Sequence, residues 1–362
     1  MSAKGYAIHD TTKWNDFKLI SYDLKTAGDY DIDIAITHCG ICGSDLHTIK
    51  AEWGKPDLPV IVGHEIVGTV SAVGPKVTEF KIGDRAGVVR HLASSFASPP
   101  RIALTHASEE NCKNDNENYC HDLIDTYNDR YPNGDKTTGG FATAVRVHER
   151  FVFPIPDQLP SEIAAPMLCA GLTTYSPLVR NGCGPGKKVG VIGIGGLGHF
   201  AIMWAKALGA EVYALTRSTD KDDDIKKLGG DYILHTGEAD FADPYRGELD
   251  IIISTANVSA GFPLKKVLTL LAVGGHLVCV GLPEEPLPEI AAFDLVNGCA
   301  IAGSYLGNKR EAISMLELAS KQDLRSWIEV LPMSKATEAV EKVDKGDVRY
   351  RIVLQNDIDS SE

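Results

Sequence analysis

Val189-Gly190-Val191-Ile192-Gly193-Ile194-Gly195-Gly196-Leu197-Gly198 begins as an apolar strand and ends as a glycine-rich turn. The residues that follow, His199 to Leu208, are mostly apolar at helical spacing and stop at Gly209, a residue type that commonly closes helices. Glu211-Val212-Tyr213-Ala214-Leu215 then supplies a second strand. Strand, turn, helix and strand in this order predict the crossover unit of a parallel sheet. More strands are predicted at Leu249–Ile253 and His276–Val280, and a doubly wound sheet accounts for all of them.

Gly193, Gly195 and Gly198 satisfy G-x-G-x-x-G where that spacing has a physical meaning, after a buried strand and at the opening of a helix. The first glycine permits the tight turn, the second lets backbone approach a pyrophosphate, and the third lets helix pack on strand. The phosphates then sit at the helix N-terminus. A glycine-rich turn alone has ordinary structural explanations; in this setting Gly193, Gly195, Gly196, Leu197 and Gly198 point to a dinucleotide. NAD-binding folds place Asp or Glu about 20 residues further on, against the ribose 2′-hydroxyl. Here that region holds Thr216, Arg217, Ser218 and Lys221. Guanidinium and hydroxyl donors suit a 2′-phosphate, so NADP(H) is predicted. The competing reading makes Arg217 a solvated charge at a strand end.

Outward from this core the texture changes. Residues 30–85 read as short alternating strands broken by Gly and Pro, as in Asp31–Ile36 and the run Val60-Ile61-Val62-Gly63. A chain of 362 residues is long enough for two compact domains. With 44% apolar and 23% charged residues it has globular composition. The net charge of −13, unbroken by basic runs, speaks against nucleic acid and anionic membranes as partners. Met1 to Tyr6 has no apolar stretch of signal-peptide length, and no window approaches a membrane span, so an intracellular, cytoplasmic protein is expected. Eight cysteines are too sparse for a disulfide scaffold and direct attention to metal or catalysis. The tail from Asn356 to Glu362 is polar and expected to fray.

Cys39-Gly40-Ile41-Cys42-Gly43-Ser44-Asp45-Leu46-His47 and Gly63-His64-Glu65 gather thiols, imidazoles and carboxylates among turn-forming glycines. Catalytic zinc takes three protein ligands and keeps one position open, and mixed Cys and His ligation is an established set. A redox Cys-x-x-Cys would be expected beside a crossover unit, whereas this one lies in the β-rich part. Spacing alone does not choose the ligands.

At this point the chain resembles the zinc-containing medium-chain dehydrogenases, in particular their NADP-dependent cinnamyl alcohol dehydrogenase branch. That branch carries CGICxxDLH, GHEIVGxV, LCAGxTxYxPL, GxGGLGH and GDVRYRFV. This chain reads Cys39–His47, Gly63–Val70, Leu168–Leu178, Gly193–His199 and Gly346–Val353 in those places and in that order. The resemblance implies a GroES-like β-rich catalytic domain, 1–158 with 300–362, and a Rossmann cofactor domain, 159–299. It makes Cys42, His64 and Cys169 the ligands of a catalytic zinc, Glu65 a carboxylate that approaches the metal during ligand exchange, and Asp45 the carboxylate that orients the ligand His. Ser44 and His47 match the proton relay. Arg349 matches the arginine on the cofactor phosphates, and Thr173 falls in the stretch that meets the nicotinamide.

The implied reaction interconverts primary alcohols and aldehydes with NADP(H). A pocket lined by residues such as Trp53 would suit an aromatic or medium aliphatic, cinnamyl-type aldehyde. Family members commonly pair as dimers through edge strands of their cofactor domains. Two other readings are a reductase of imines or activated C=C bonds and a catalytically silent NADPH-binding protein; intact Ser44 and His47 favour the proton-relay chemistry.

The chain departs from the family pattern in one region. The family's structural-zinc lobe has four cysteines as C-x2-C-x2-C-x7-C. Cys112 and Cys120 match the last two, while His106 and Glu109 stand at the first two positions, so a second, structural zinc has two thiols in its support. The stretch Val89–Ser108 is about ten residues longer than the family's and shares none of its pattern. Such abrupt loss and return of resemblance is what a retained intron would give, so residues near 88–108 are read as foreign to the natural enzyme.

Overall fold

The computed structural model describes residues 2–89, 91–94, 106–120, 122–257 and 259–359. It divides into two compact units, Met1–Cys169 with Asn308–Glu362, and Ala170–Gly307. The first unit opens with β1 (Ser2–Ala7) and β2 (Lys18–Asp23), an antiparallel ribbon. Then come β3 (Asp31–Gly40), α1 (Gly43–Ile49), β4 (Glu65–Val73), β5 (Arg85–Val88) and β6 (His91–Ser94). The next elements are α2 (His106–Lys113), β7 (Leu123–Asp125), β8 (Ala144–His148), β9 (Val152–Pro154) and α3 (Ser161–Ala164).

The second unit runs α4 (Ala170–Arg180), β10 (Lys188–Ile192), α5 (Gly198–Ala207), β11 (Glu211–Thr216), α6 (Asp222–Leu228) and β12 (Tyr232–His235). It continues with β13 (Leu249–Ser254), α7 (Leu264–Leu270), β14 (Leu271–Cys279) and β15 (Ala300–Gly303). The chain returns to the first unit with α8 (Lys309–Lys321), β16 (Ile328–Pro332), α9 (Ala336–Asp344) and β17 (Arg351–Gln355).

In the first unit a seven-stranded sheet has the order β16-β17-β3-β4-β5-β9, with β8 also paired to β3. Isoleucines and valines of β3, β4 and β8, among them Ile32, Ile34, Ile66, Val70 and Val145, are buried in one core with Phe141, Val340 and Leu354. In the second unit six strands lie parallel in the order β12-β11-β10-β13-β14-β15. Strand order reverses between β10 and β13, the switch point at which doubly wound sheets bind their ligands. Among the described residues no helix is long and apolar enough to cross a membrane.

Several details differ from the sequence reading. Val60–Gly63 is buried but forms no strand. Val60 makes one isolated bridge to Ile8, and the Ile61, Val62 and Gly63 carbonyls accept from the N–H groups of Gly139, Phe141 and Gly140. An apolar run can thus be extended and buried with its partners in a loop instead of a ladder. Residues 159–169 go with the first unit because α3 and the turn Ala165–Met167 pack on β3 and β4. Residues 300–307 go with the second because β15 completes its sheet. The tail is tied down through Asn356: its N–H donates to Thr37 O and its side chain to Ile36 O and Ala142 O, and Asp357 accepts from Ser334. Residues 360–362 lie outside the described residues, as do Arg90 and 95–105 of the segment read as foreign; His91–Ser94 pairs with β7.

Candidate active site

Cys42 stands at the N-cap of α1, where the chain turns out of β3. Its N–H donates to Asp45 Oδ2 at 2.9 Å. The other Asp45 oxygen accepts from the Gly63 N–H at 3.1 Å and stands 3.1 Å from His64 Nδ1. One buried carboxylate therefore locks the start of the helix, the Gly63 turn and the imidazole together. With Nδ1 bound to Asp45, Nε2 is the nitrogen turned to the thiols, 3.1 Å from Cys169 Sγ. Cys42 Sγ and Cys169 Sγ are 3.9 Å apart. The donor atoms of Cys42, His64, Glu65 and Cys169 all lie within 4.8 Å of one another, and all four residues are buried.

This donor set fits zinc. Two thiolates at about 2.3 Å on a tetrahedral ion stand about 3.8 Å apart. Burial opposes charge on His64, but the Asp45 carboxylate and the Cys42 sulfur outweigh it and hold its pKa up at about 10, so a zinc ion taking Nε2 displaces a proton there and leaves the imidazole neutral. The Cys42 thiol is held well below the usual range by the hydrogen bond from Cys169, against burial and with help from His64 and Arg351. The site thus favours a thiolate, the form that binds metal.

Arg351 was not singled out by the sequence reading. It opens β17, and its guanidinium donates to Glu65, which opens β4. Both residues are almost wholly buried, and Gly40 of β3, which pairs with both Glu65 and Val353, lies between their strands. Burial pushes the Glu65 carboxyl up to about 7 although Arg351 pulls it down. Removing one member of a buried pair strands the other charge, so Arg351→Met is expected to lower unfolding free energy by about 3 kcal/mol. Denaturant midpoints would measure it, and a loss below about 1 kcal/mol would deny the pair a structural role.

Ser44 and His47 share one face of α1 at the i, i+3 spacing. Ser44 Oγ lies 3.8 Å from the Cys42 thiol. His47 donates through Nδ1 to Glu52 at 2.5 Å, and its ring stacks on Trp53 with centroids 4.5 Å apart. Tyr127, another residue without a sequence signal, brings its hydroxyl to 3.3 Å from His64 Nδ1.

In the second unit the glycine turn has the form its spacing predicts. Gly193 adopts φ +84°, and a Cβ on Gly198 would stand 1.9 Å from the Gly193 carbonyl oxygen. Helix α5 therefore begins against the turn itself, and Gly195, with nothing within 4 Å of its missing Cβ, leaves open space beside the backbone. Lys221 donates to Ile194 O at 2.6 Å, so its ammonium lies against the glycine turn. Thr216 ends β11, Arg217 and Ser218 are exposed, and Ser218 bonds Asp220. Thr255, after β13, was missed: its hydroxyl bonds Ile192 O at 3.0 Å and Gly193 O at 2.7 Å, bracing the turn from across the switch point. Thr173 is buried in α4. Arg349 is exposed, with its guanidinium over the Tyr350 ring.

Cys112 and Cys120 are buried side by side, and burial together with the Cys112 neighbour lifts the Cys120 thiol to about 11. Their surroundings are tied to the start of α8. Asn308 donates to Asp115 O and the Lys309 N–H to Glu117, each at 2.7 Å, while Arg150 donates to Cys112 O. Among the described residues no cluster of three or more metal donors includes either thiol. The side chains of His106 and Glu109 lie outside what is described.

Known proteins similar to this chain share one family. Residues 28–157 match the alcohol dehydrogenase GroES-like domain, and residues 196–321 match the zinc-binding dehydrogenase domain. The chain is 42% identical over 356 residues to NADP-dependent alcohol dehydrogenase 6 of Saccharomyces cerevisiae, covering 97% of this chain and 96% of that one. It is 41% identical over 336 residues to the mannitol dehydrogenase of Petroselinum crispum, covering 92% and 96%. A cinnamyl alcohol dehydrogenase of Sorghum bicolor superposes with a TM-score of 0.88 at 39% identity, covering 98% of each chain. A Helicobacter pylori CAD complexed with NADP(H) gives 0.86 at 32% identity, again with 98% of each chain covered.

Proposed function

The chain belongs to the zinc-binding dehydrogenases built on an alcohol dehydrogenase GroES-like domain, and on that premise we propose that it interconverts primary alcohols and aldehydes using zinc and NADP(H). The observation that carries the reading is the convergence of Cys42, His64 and Cys169, with Asp45 holding the imidazole. Zinc held there supplies Lewis acidity at the carbonyl oxygen, and NADPH supplies hydride to the carbonyl carbon. Asp45 fixes the His64 tautomer so that Nε2 stays available as a donor atom. Glu65, paired with Arg351, is the carboxylate poised for ligand exchange.

As the carbonyl carbon gains hydride, Ser44 gives its hydroxyl proton to the substrate oxygen. His47, steadied by Glu52 and Trp53, returns a proton to Ser44. In reverse the same groups take the proton of a primary alcohol. Gly193, Gly195, Gly196, Leu197 and Gly198 cradle the pyrophosphate, Thr173 meets the nicotinamide, and Arg349 reaches the phosphates. Thr216, Arg217, Ser218 and Lys221 receive the 2′-phosphate. Aromatic or medium aliphatic aldehydes of the cinnamyl type are the substrates this reading favours.

Zinc-loaded protein is expected to consume NADPH with cinnamaldehyde, and no consumption with any simple aldehyde would end the reading. Arg217→Ala is expected to weaken NADPH about tenfold, the lower end for an exposed charge-assisted bond, and to leave NADH unchanged. Equal loss for both cofactors, in dissociation constants read by fluorescence, would remove Arg217 from the 2′-phosphate.

A second copy of the chain would pair along β15, which is an edge of the six-stranded sheet. Val273, Phe293 and Val296, in the same unit, are 88%, 80% and 71% exposed, the kind of apolar surface a partner covers. A single-chain mass in solution would refute the homodimer. Its free thiols suit a reducing cytoplasm.

A further inference from the structure

A recess of about 200 Å³ in the first unit is lined by residues that include Thr48, Trp53, Asp125, Tyr127 and Asn128. It adjoins the metal-donor cluster and the relay through three of them. Trp53 stacks on His47, the Tyr127 hydroxyl stands 3.3 Å from His64 Nδ1, and the Thr48 hydroxyl donates to the Ser44 carbonyl at 3.0 Å. The recess is smaller than the roughly 300 Å³ at which pockets begin to hold a whole drug-sized ligand, so it takes one end of a small molecule.

Its chemistry is mixed. Trp53 offers a flat apolar face, 40% exposed. Asp125, at the end of β7, contributes a carboxylate, which has about four acceptor positions. Asn128 Oδ1 accepts from the Asp57 N–H at 2.8 Å, so the amide nitrogen is the end it can offer a ligand. A plain hydrocarbon end would offer neither Asp125 nor Asn128 a hydrogen bond while shielding both from solvent. A hydroxyl-bearing end would donate to the carboxylate and accept from the amide, while its carbon frame lay on the indole.

We propose that Asp125 is a specificity residue, selecting alcohols and aldehydes that carry a hydroxyl on the end remote from the reacting carbon. The inference rests on the dehydrogenase reading for the chemistry at the substrate's other end, but the preference of the recess can be measured without turnover.

The test compares para-hydroxymethylbenzaldehyde with para-ethylbenzaldehyde, two compounds of similar size and reactivity, on the zinc-loaded full chain. Dissociation constants come from quenching of tryptophan fluorescence, and kcat and KM from NADPH consumption. The hydroxymethyl compound is expected to bind about tenfold tighter, a typical gain for a hydrogen bond to a charged acceptor, and to show the advantage in KM rather than kcat. Asp125→Asn should shrink the ratio to about threefold, and Asp125→Leu should reverse it, with melting midpoints confirming that both variants fold. A wild-type ratio of one or less, or a ratio unmoved in Asp125→Leu, overturns the proposal. A binding preference that vanishes in Asp125→Leu without turnover of either aldehyde supports it and refutes the dehydrogenase reading instead. Should a variant fail to fold, the wild-type ratio alone decides.

Discussion

His64→Ala is expected to leave the protein without stoichiometric zinc and to lower kcat/KM for aldehyde reduction by at least about a thousandfold. The size follows from what the ion supplies. Stabilising charge on a carbonyl oxygen is worth several kcal/mol, and about 4 kcal/mol corresponds to a thousandfold in rate. The position follows from the geometry. His64 is completely buried and joins Asp45 on one nitrogen to Cys169 on the other. Alanine removes a neutral donor and leaves two thiols beside a buried carboxylate, a set too small and too negative to hold its shape. Asp45→Asn should give a graded version, about 10- to 100-fold in metal affinity, because it disturbs the ligand's orientation and leaves the ligand itself. Metal analysis of the purified variants beside NADPH consumption measures both effects. Full zinc and near-normal turnover in His64→Ala would show that the metal is held elsewhere.

The second large effect is expected at the glycine turn, where two substitutions of one methyl group should behave differently. A Cβ at Gly198 would stand 1.9 Å from the Gly193 carbonyl oxygen, and backbone has no rotamer by which to escape. Helix α5 must move off the turn, so Gly198→Ala should cost about 3 kcal/mol of stability and weaken NADPH by at least about a hundredfold. At Gly195 a Cβ meets nothing within 4 Å in the protein. Gly195→Ala should therefore keep the parent's melting midpoint while its methyl obstructs the approach of the pyrophosphate to the backbone. NADPH titration and thermal unfolding of the pair separate the two roles. Normal NADPH affinity in both variants would refute the cofactor assignment.

The contrast between these glycines was legible in the sequence because the turn is local: spacing, preceding strand and following helix are all contained in Val189–Leu215. The doubly wound sheet was legible for the same reason: β10, β11, β13 and β14 declare themselves by apolar runs, while β12 and β15, its two edge strands, bury too little to do so and were not read from the sequence. What escaped was set by contacts between distant segments. Arg351 meets Glu65 because β17 and β4 flank β3, and no local pattern announces that pairing. Thr255 braces the glycine turn from the neighbouring strand β13, and a threonine after a strand has no distinguishing spacing. The run Val60–Gly63 has the composition of a strand, yet its hydrogen bonds go to residues 139–141. The metal donors were visible as residue types; their selection needed either the family resemblance or the three-dimensional convergence now seen. The burial of Asp45 explains why a carboxylate belongs in that motif: it serves three partners at once.

The place of β17 in its sheet has a consequence for how the protein is made. This strand is the last in the chain, yet it lies inside the seven-stranded sheet, between β16 and β3, and brings Arg351 with it. The unit Ala170–Gly307 is continuous in sequence and is synthesised whole before any of α8 to β17. The nucleotide-binding half can therefore finish during translation, as contiguous domains do. The metal-binding half must wait, its β3 flank uncovered, for residues 351–355. A chain cut before Arg351 keeps the whole nucleotide-binding half and has a catalytic sheet that cannot be completed.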